Sequence, residues 1–157
     1  MELQAKLDTF EIKLISACAE IYSTLGSGYK ECVYQRALSL ELFNNNYKHS
    51  TEVNVNIMYK NTFIGYERAD ILIDDPKRII ELKAQTQKIA PKEIFQTHRY
   101  LVDLGITTGY LVNFAVVNYR VDLENITNSI EIFKIESTPD KYCKVSRFDG
   151  EKFCGVS

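Results

Sequence analysis

Three side chains near the middle of the chain could together carry out phosphodiester chemistry. The stretch ERADILIDDPKRIIELKAQ, residues 67–85, holds two strand-like apolar runs around a proline turn. Asp70 precedes the first run, and Glu81 and Lys83 lie in the second. Two neighbouring carboxylates repel each other unless a cation lies between them. Mg²⁺ or Mn²⁺ binds through one or two carboxylates, keeps waters for a substrate phosphate, and polarises a phosphoryl oxygen. Asp70, Glu81 and Lys83 therefore supply the groups of a phosphodiester hydrolysis site.

The turn between the two strands decides whether these residues face each other. Side chains alternate between the faces of a strand, so Glu81 and Lys83 share one face. With Pro76 and Lys77 as the central residues of a tight turn, Asp70 would lie opposite Lys83 and diagonal to Glu81. Diagonal neighbours are close enough to share a ligand. The alternative interpretation is an exposed Asp–Lys ion pair across two strands, which contributes little to stability.

Two predicted helices could add polar groups to the same place. Gln96 and Tyr100 are four residues apart and lie on one face of the helix that follows the Glu81 strand. Glu31 and Tyr34 share a face of an earlier helix. Simpler explanations are a solvated glutamine beside a core tyrosine, and a first-turn glutamate that complements the helix dipole.

The elements that must position these residues follow from the hydrophobic periodicity. It predicts helices at 9–25, 30–45 and 91–104, and strands at 53–59, 62–66, 69–74, 78–84, 109–114 and 129–136. A strand–helix–strand crossover usually returns parallel to the sheet. The order therefore predicts a mixed-sheet α/β domain with helices on both faces. We expect one domain over residues 1–136 and a polar, loosely attached C-terminal tail over residues 137–157.

Composition narrows the class of protein. The 157 residues suit one domain, and the net charge of -2 argues against a general nucleic-acid coat while allowing a local basic groove. The four cysteines form no CxxC pair, which disfavours a zinc or iron–sulfur site. The charged N-terminus is not a signal peptide, and no apolar run could span a bilayer. We expect reduced thiols and an intracellular, non-secreted protein.

Five segments, in order along the chain, resemble the GxxExxY protein family of the PD-(D/E)XK nuclease superfamily. They are Gly28-x-x-Glu31-x-x-Tyr34, Arg68-Ala69-Asp70, Glu81-Leu82-Lys83-Ala84, the RecB-like Gln96-x-x-x-Tyr100-Leu101, and Leu111-Val112-Asn113-Phe114. The resemblance runs from about residue 9 to 135 and implies a restriction-endonuclease-like αβββαβ core, with a mixed central sheet flanked by helices. Two departures are Glu93, where the family often has histidine, and residues 119–124, which are more acidic than the family's basic segment.

The resemblance also implies roles for individual residues. The implied metal ligands are Glu31, Asp70, Glu81 and the carbonyl of Leu82, and the implied catalytic residues are Asp70, Glu81, Lys83, Gln96 and Tyr100. Lys83 would be the catalytic lysine. Gln96 and Tyr100 would support the site or contact the nucleic-acid backbone.

The function expected from the sequence is a Mg²⁺- or Mn²⁺-dependent nuclease that acts on DNA rather than RNA. The alternative is a non-catalytic nucleic-acid-binding or assembly module that keeps the nuclease fold, since a fold alone does not establish activity. A third hypothesis is a component of a larger nuclease assembly whose partner supplies the DNA-binding surface. A homodimer would suit a domain this small acting on duplex DNA.

Overall fold

A computed structural model describes residues 6–116 and 130–156 of the chain. These residues contain three helices and seven strands. The helices are α1 (Thr9–Leu25), α2 (Glu31–Asn44) and α3 (Pro91–Leu104), and the strands are β1 (His49–Tyr59), β2 (Thr62–Ile73), β3 (Arg78–Lys83), β4 (Thr108–Phe114), β5 (Ile130–Ser137), β6 (Cys143–Phe148) and β7 (Phe153–Gly155).

The seven strands form one mixed sheet in which strand order follows chain order. Only β3 and β4 run parallel, and α3 makes the crossover between them. All the other neighbouring strands in the described sheet are antiparallel. The predicted mixed α/β class is confirmed, and the arrangement is consistent with a restriction-endonuclease-like fold.

The sheet separates two apolar clusters, one on each face. One cluster joins α1 and α2 to the sheet through Phe10, Leu14, Cys18, Tyr34, Leu38, Ile71, Ile80, Leu82 and Val112. The other joins α3 to the opposite face through Val55, Ala69, Ile79, Tyr100, Leu101, Leu111 and Phe133. Each fully buried Leu, Ile or Phe contributes about 1.5–3 kcal/mol to folding by leaving water. These two layers hold β2 and β3 between helices, which fixes the strands that carry Asp70 and Glu81.

Local sequence signals explain where the helices start and stop. Asp8 caps α1 by accepting a hydrogen bond from the Glu11 N–H, and the Glu11 side chain accepts the Asp8 N–H in return. Pro91 begins α3, where its missing N–H has no cost. Gly105 ends that helix with a left-handed φ of 67°, as its position after the last apolar repeat predicts.

The predicted turn between β2 and β3 is wrong by two residues. Leu72 lies opposite Ile79, and the connecting loop spans residues 74–77 rather than a two-residue turn centred on Pro76 and Lys77. On the other side of β2, the Asp74 N–H donates to the Lys48 carbonyl, which continues the pairing with β1 past Ile73. A shift of two residues moves every pair without exchanging faces. Asp70 is therefore not opposite Lys83, but the shift by itself leaves it on the face predicted for Glu81 and Lys83.

The C-terminal segment contributes strands to the same sheet. β6 pairs with β5, and β7 pairs with β6. Phe148 and Phe153 pack against the α1–α2 cluster. The boundary at residue 136 stays a prediction, whereas these strands attach residues 143–155 to the sheet through backbone hydrogen bonds. The acidic segment at 119–124 and the first residue of the predicted 129–136 strand lie outside the described residues.

Candidate active site

Asp70 and Glu81 meet where β2 and β3 stop pairing. The last backbone pair before them joins Ile71 to Ile80. Beyond it, side chains replace the ladder: the Asp70 N–H donates to Glu81 Oε1 at 2.7 Å, and the Leu82 N–H donates to Asp70 Oδ2 at 2.8 Å. Each carboxylate is thus fixed by a backbone N–H of the neighbouring strand, Glu81 by that of Asp70 and Asp70 by that of Leu82.

Burial makes this pair of carboxylates costly to ionise. Glu81 is only 4% exposed. Burial raises its pKa well above the usual value, and the Asp70 charge raises it further. Burial also raises the pKa of Asp70 to about 6, against the lowering effect of the Leu82 N–H, with a further increase from the charges of Glu31 and Glu52. The site therefore concentrates negative charge in a place with little water, which favours a bound cation.

A local irregularity in β2 allows Asp70 to reach this position. Residues two apart in a strand normally share a face, yet Ala69 packs in the α3 cluster and Ile71 in the α1–α2 cluster. The alternation is therefore broken at Asp70. On the neighbouring strand Glu52 has a left-handed φ of 54°, which marks the same bend in β1. Sequence periodicity gave no sign of this break.

Lys83 is the cationic group beside the two acids. It is the last residue of β3 and shares the α3 face with Glu81. Its charge lowers the pKa of both Asp70 and Glu81, without outweighing burial. In the described part of the chain Lys83 forms no direct ion pair, so its ammonium group is available to a ligand. The sequence prediction that Asp70, Glu81 and Lys83 gather at one place agrees with this geometry.

The end of β3 is fixed to β4 by side-chain hydrogen bonds. Just beyond Lys83, the Gln85 N–H donates to Asn113 Oδ1 at 3.1 Å. Asn113 is fully buried and also donates to Glu131. Glu93, where the resembling family often has histidine, accepts the Ala90 N–H at 2.8 Å and caps α3. Its role in this structure is to start the helix that covers the site.

The Gly28-x-x-Glu31-x-x-Tyr34 segment forms the turn into α2. Gly28 has a φ of 101°, which disfavours other residues. The Tyr34 hydroxyl donates to the Gly26 carbonyl at 2.6 Å, and its ring stacks on Phe114 at 4.5 Å between centroids. Glu31 follows at the exposed start of the helix. The glycine and tyrosine therefore shape the turn that holds Glu31 near enough to act on both carboxylates by its charge.

One turn further along α2, Gln35 contacts the site directly, and sequence reasoning missed it. Its Nε2 donates to the Asp70 carbonyl at 3.3 Å. Gln35 is 9% exposed, so most of its side chain is shielded from water. The signal that could have identified it is a polar residue beside Tyr34 on the buried side of the helix.

Gln96 and Tyr100 hold a third acid, Glu67, rather than Asp70 or Glu81. Gln96 Nε2 donates to Glu67 Oε2 at 3.1 Å, and the Tyr100 hydroxyl donates to the same oxygen at 3.0 Å. Arg99 binds the other oxygen at 3.2 Å. The hydrogen bond from Gln96, with those from Tyr100 and Arg99, lowers the pKa of Glu67 against the effect of burial. Burial and the Glu67 hydrogen bond raise the pKa of Tyr100, so it stays a donor.

This arrangement changes how the Gln96–Tyr100 pair relates to the site. The helix face predicted from the four-residue spacing is the face that meets β2, three residues before Asp70. Glu67 was missed although it stands directly before Arg68-Ala69-Asp70. The signal that could have identified Glu67 is an acid directly before Arg68-Ala69-Asp70, followed later in the chain by a helix with Gln96 and Tyr100 on one face.

The donor set at Asp70 and Glu81 fits a divalent cation that needs few protein ligands. Each carboxylate has one oxygen in a backbone hydrogen bond, and among the described residues the other oxygen makes none. Mg²⁺ is usually held by one or two carboxylates with several waters. Residues 6–116 and 130–156 contain no group of three or more His, Cys, Asp or Glu side chains arranged to hold a metal. Glu31 thus acts on the pair by charge and does not complete a three-acid cluster.

Comparison with known proteins identifies the class. The model of the PD-(D/E)XK nuclease superfamily matches residues 8–126, which is most of the chain. The chain therefore belongs to the PD-(D/E)XK nuclease superfamily. A search of curated proteins finds no match. Among solved structures, the crystal structure of SSO0001 aligns at 17% identity with a TM-score of 0.43, covering 74% of this chain and 69% of that one. Within the described residues no helix is long and apolar enough to cross a membrane.

Proposed function

We propose that this protein is a divalent-metal-dependent nuclease that hydrolyses phosphodiester bonds in DNA. The observation that carries the proposal is the Asp70–Glu81 pair. Each carboxylate accepts a backbone N–H from the neighbouring strand, that of Asp70 or of Leu82. Both carboxyl groups have raised pKa values, and Lys83 lies beside them. A purely structural ion pair would bring the lysine into contact with an acid, whereas Lys83 makes no direct ion pair among the described residues. Membership in the superfamily points to the same reaction class.

In this proposal Asp70 and Glu81 hold Mg²⁺ or Mn²⁺, with the Leu82 carbonyl as an additional ligand, while Glu31 adds negative charge near the pair. When bound, the cation would supply positive charge to a phosphoryl oxygen and lower the pKa of a nearby water. Lys83 would orient the attacking water and offset charge on the phosphate. Because Glu81 is almost fully shielded from solvent, these charges act with little screening.

The Glu67 contacts give Gln96 and Tyr100 a positioning role in the proposal. They hold α3 against β2 next to Asp70, so they position the elements around the site and do not bind the metal. This positioning role differs from direct contact with the reacting atoms or the metal.

Cleavage by the purified chain tests the proposal. Wild type should cut DNA with Mg²⁺ or Mn²⁺ and not with EDTA, and Asp70→Asn and Lys83→Met should abolish cutting. Asp74→Asn is a matched control, because Asp74 is an exposed acid in the β2–β3 loop. If wild type leaves duplex, single-stranded and branched DNA intact, the nuclease assignment fails. An RNA panel under the same conditions decides between the two nucleic acids.

A non-catalytic module is favoured by one specific observation. Both carboxylates already accept backbone N–H groups, so they have a structural role in closing the end of the hairpin without any metal. A protein that binds nucleic acid but shows no metal-dependent cutting would establish this alternative. Membership of the GxxExxY family, an intracellular location, and a homodimer or larger nuclease assembly remain predictions of the sequence.

A further inference from the structure

The β1–β2 hairpin extends beyond the rest of the sheet. β3 pairs with β2 only at residues 71–73, whereas β2 pairs with β1 along almost its whole length. Within the described part of the chain, residues 62–69 of β2 therefore have a strand neighbour on one side only. The hairpin is an arm, and Asp70 lies where the arm joins the sheet. A ligand bound along the arm would therefore have Asp70 at one end of its path.

One face of this arm has a composition suited to a nucleic-acid strand. Asn56 lies opposite Tyr66, and Asn54 lies opposite Arg68, so these four side chains share a face, which we call the arm face. All four are exposed, with Tyr66 at 52%. The other face is the one that Glu67 uses to bind α3. The arm face thus points away from α3, to the side of the sheet that carries α1 and α2, from which Gln35 reaches the Asp70 carbonyl.

The charges on the arm face are favourable to phosphate. Its members are an aromatic ring, two amides and a guanidinium, with no carboxylate. Arg68 makes no ion pair among the described residues, in contrast to Arg99, which is bound to Glu67. The chain as a whole has a net charge of -2, and Arg68 places an exposed positive charge two residues from Asp70. Arginine binds phosphate through a fork of donors.

We propose that the arm face guides an unpaired nucleic-acid strand to the Asp70–Glu81 pair, with a base stacked on Tyr66 and a phosphate bound by Arg68. The proposal deepens the proposed function and rests on it, because it names the substrate class of the same site. Stacking on a side chain needs a base whose flat face is free, and a duplex covers that face with neighbouring bases. Tyr66 lies four residues, or about 13 Å along the strand, from Asp70. The preferred substrate is therefore single-stranded, or has a single-stranded end.

A second copy of the chain is the competing occupant of the arm. The tip beyond Ile57 carries exposed Met58, Tyr59 and Phe63, which could pack against another arm. The tip is separated from the arm face by the register shift between Ile57 and Met58. The amides and the unpaired guanidinium of the arm face have no counter-charge to offer an identical surface. The composition of the arm face thus favours nucleic acid over self-association.

Fluorescence anisotropy with the full chain tests the proposal. The probes are a short labelled single-stranded DNA and the duplex of the same sequence, with Ca²⁺ as an oxygen-binding substitute for Mg²⁺ and a gel to confirm that the DNA stays intact. Wild type should bind the single strand more tightly than the duplex. Tyr66→Ala should weaken single-strand binding by about 5- to 150-fold, the range for loss of one stacked base. Arg68→Gln should weaken binding and reduce the salt dependence by about 0.7 in the log–log slope.

Two matched controls separate the arm face from general surface effects. Tyr142→Ala removes another exposed tyrosine, which lies in the turn before β6 at the other end of the sheet from the arm. Lys77→Gln removes an exposed cation from the β2–β3 loop. Both variants should bind like wild type. Equal losses in Tyr66→Ala and Tyr142→Ala, or no single-strand binding by wild type, would overturn the proposal.

Sedimentation and cleavage distinguish the remaining outcomes. If Tyr66→Ala dissociates a dimer and leaves DNA binding unchanged, the arm is a self-association surface and the proposal is wrong. If wild type binds single strands through Tyr66 but never cuts them, the nuclease function fails and the arm-face inference stands. If wild type cuts DNA and Tyr66→Ala binds and cuts equally well, only the arm-face inference fails.

Discussion

Neutralising Asp70 should make the metal-free protein more stable, which is the opposite of what removing a structural acid does. Burial moves the pKa of Asp70 from its usual 3.8 to about 6 in the folded chain. At about 1.4 kcal/mol per pKa unit, the ionised carboxylate costs roughly 3 kcal/mol of folding free energy. The folded pKa lies above the unfolded one, so the folded state holds the proton more tightly. Stability therefore falls as the pH rises from about 4 to about 6, and the full cost applies above that range.

Asp70→Asn removes the charge and keeps an oxygen to accept the Leu82 N–H. The free energy of unfolding in EDTA should rise by up to roughly 3 kcal/mol near pH 8, and the gain should vanish near pH 4. Urea denaturation at several pH values measures this, with the exposed Asp74→Asn as control. Mn²⁺ should reverse the order: at a thousand times its Kd it adds about 4.1 kcal/mol to wild type alone, which exceeds the gain from the substitution. A loss of stability in Asp70→Asn near pH 8, or a difference that does not change with pH, would refute the reasoning.

Three further predictions concern the elements around the site. Tyr34→Phe should lower the free energy of unfolding by about 1 kcal/mol, through loss of the bond to the Gly26 carbonyl; denaturation with no change would contradict that bond. Gly28→Ala should cost about 1–2 kcal/mol from its left-handed φ alone, since the space around it is open, and an unchanged Tm would disprove the strain. Asp8→Ala should cost about 1 kcal/mol near pH 7 by loss of the α1 cap. Although burial opposes it, hydrogen bonds from Arg78 and the Glu11 amide lower the pKa of Asp8, so this loss should shrink below about pH 4; a loss that is constant with pH would exclude the mechanism.

The helices could be predicted closely because their signals are local. Asp8 and Pro91 mark helix starts, through a side-chain cap and a missing N–H, and Gly26 and Gly105 mark helix ends through positive φ angles. The strands were found by alternation, but their register was not. The β2–β3 register joins Leu72 to Ile79 across a loop of residues 74–77, and the alternation within each strand gives no information about the length of that loop.

The candidate site shows the same division between local and tertiary information. Residue type and strand parity were enough to place Glu81 and Lys83 on one face, whereas Asp70 joins them through a break in alternation that the sequence does not show. The partner of Gln96 and Tyr100 was not predictable, because it depends on how α3 crosses β2. Helix spacing shows which side chains share a face and gives no information about what that face meets. Glu67 became visible only when the two elements were placed together.

A crystal structure with Mn²⁺, located by its anomalous scattering, tests the central claim most directly. The claim is that Asp70 and Glu81 form the centre of a metal-dependent nuclease site. We predict one strong anomalous peak about 2 Å from a carboxylate oxygen of each residue, and none in crystals of Asp70→Asn. A peak only at exposed acids elsewhere, or no peak beside the Asp70–Glu81 pair at saturating Mn²⁺, would contradict the account.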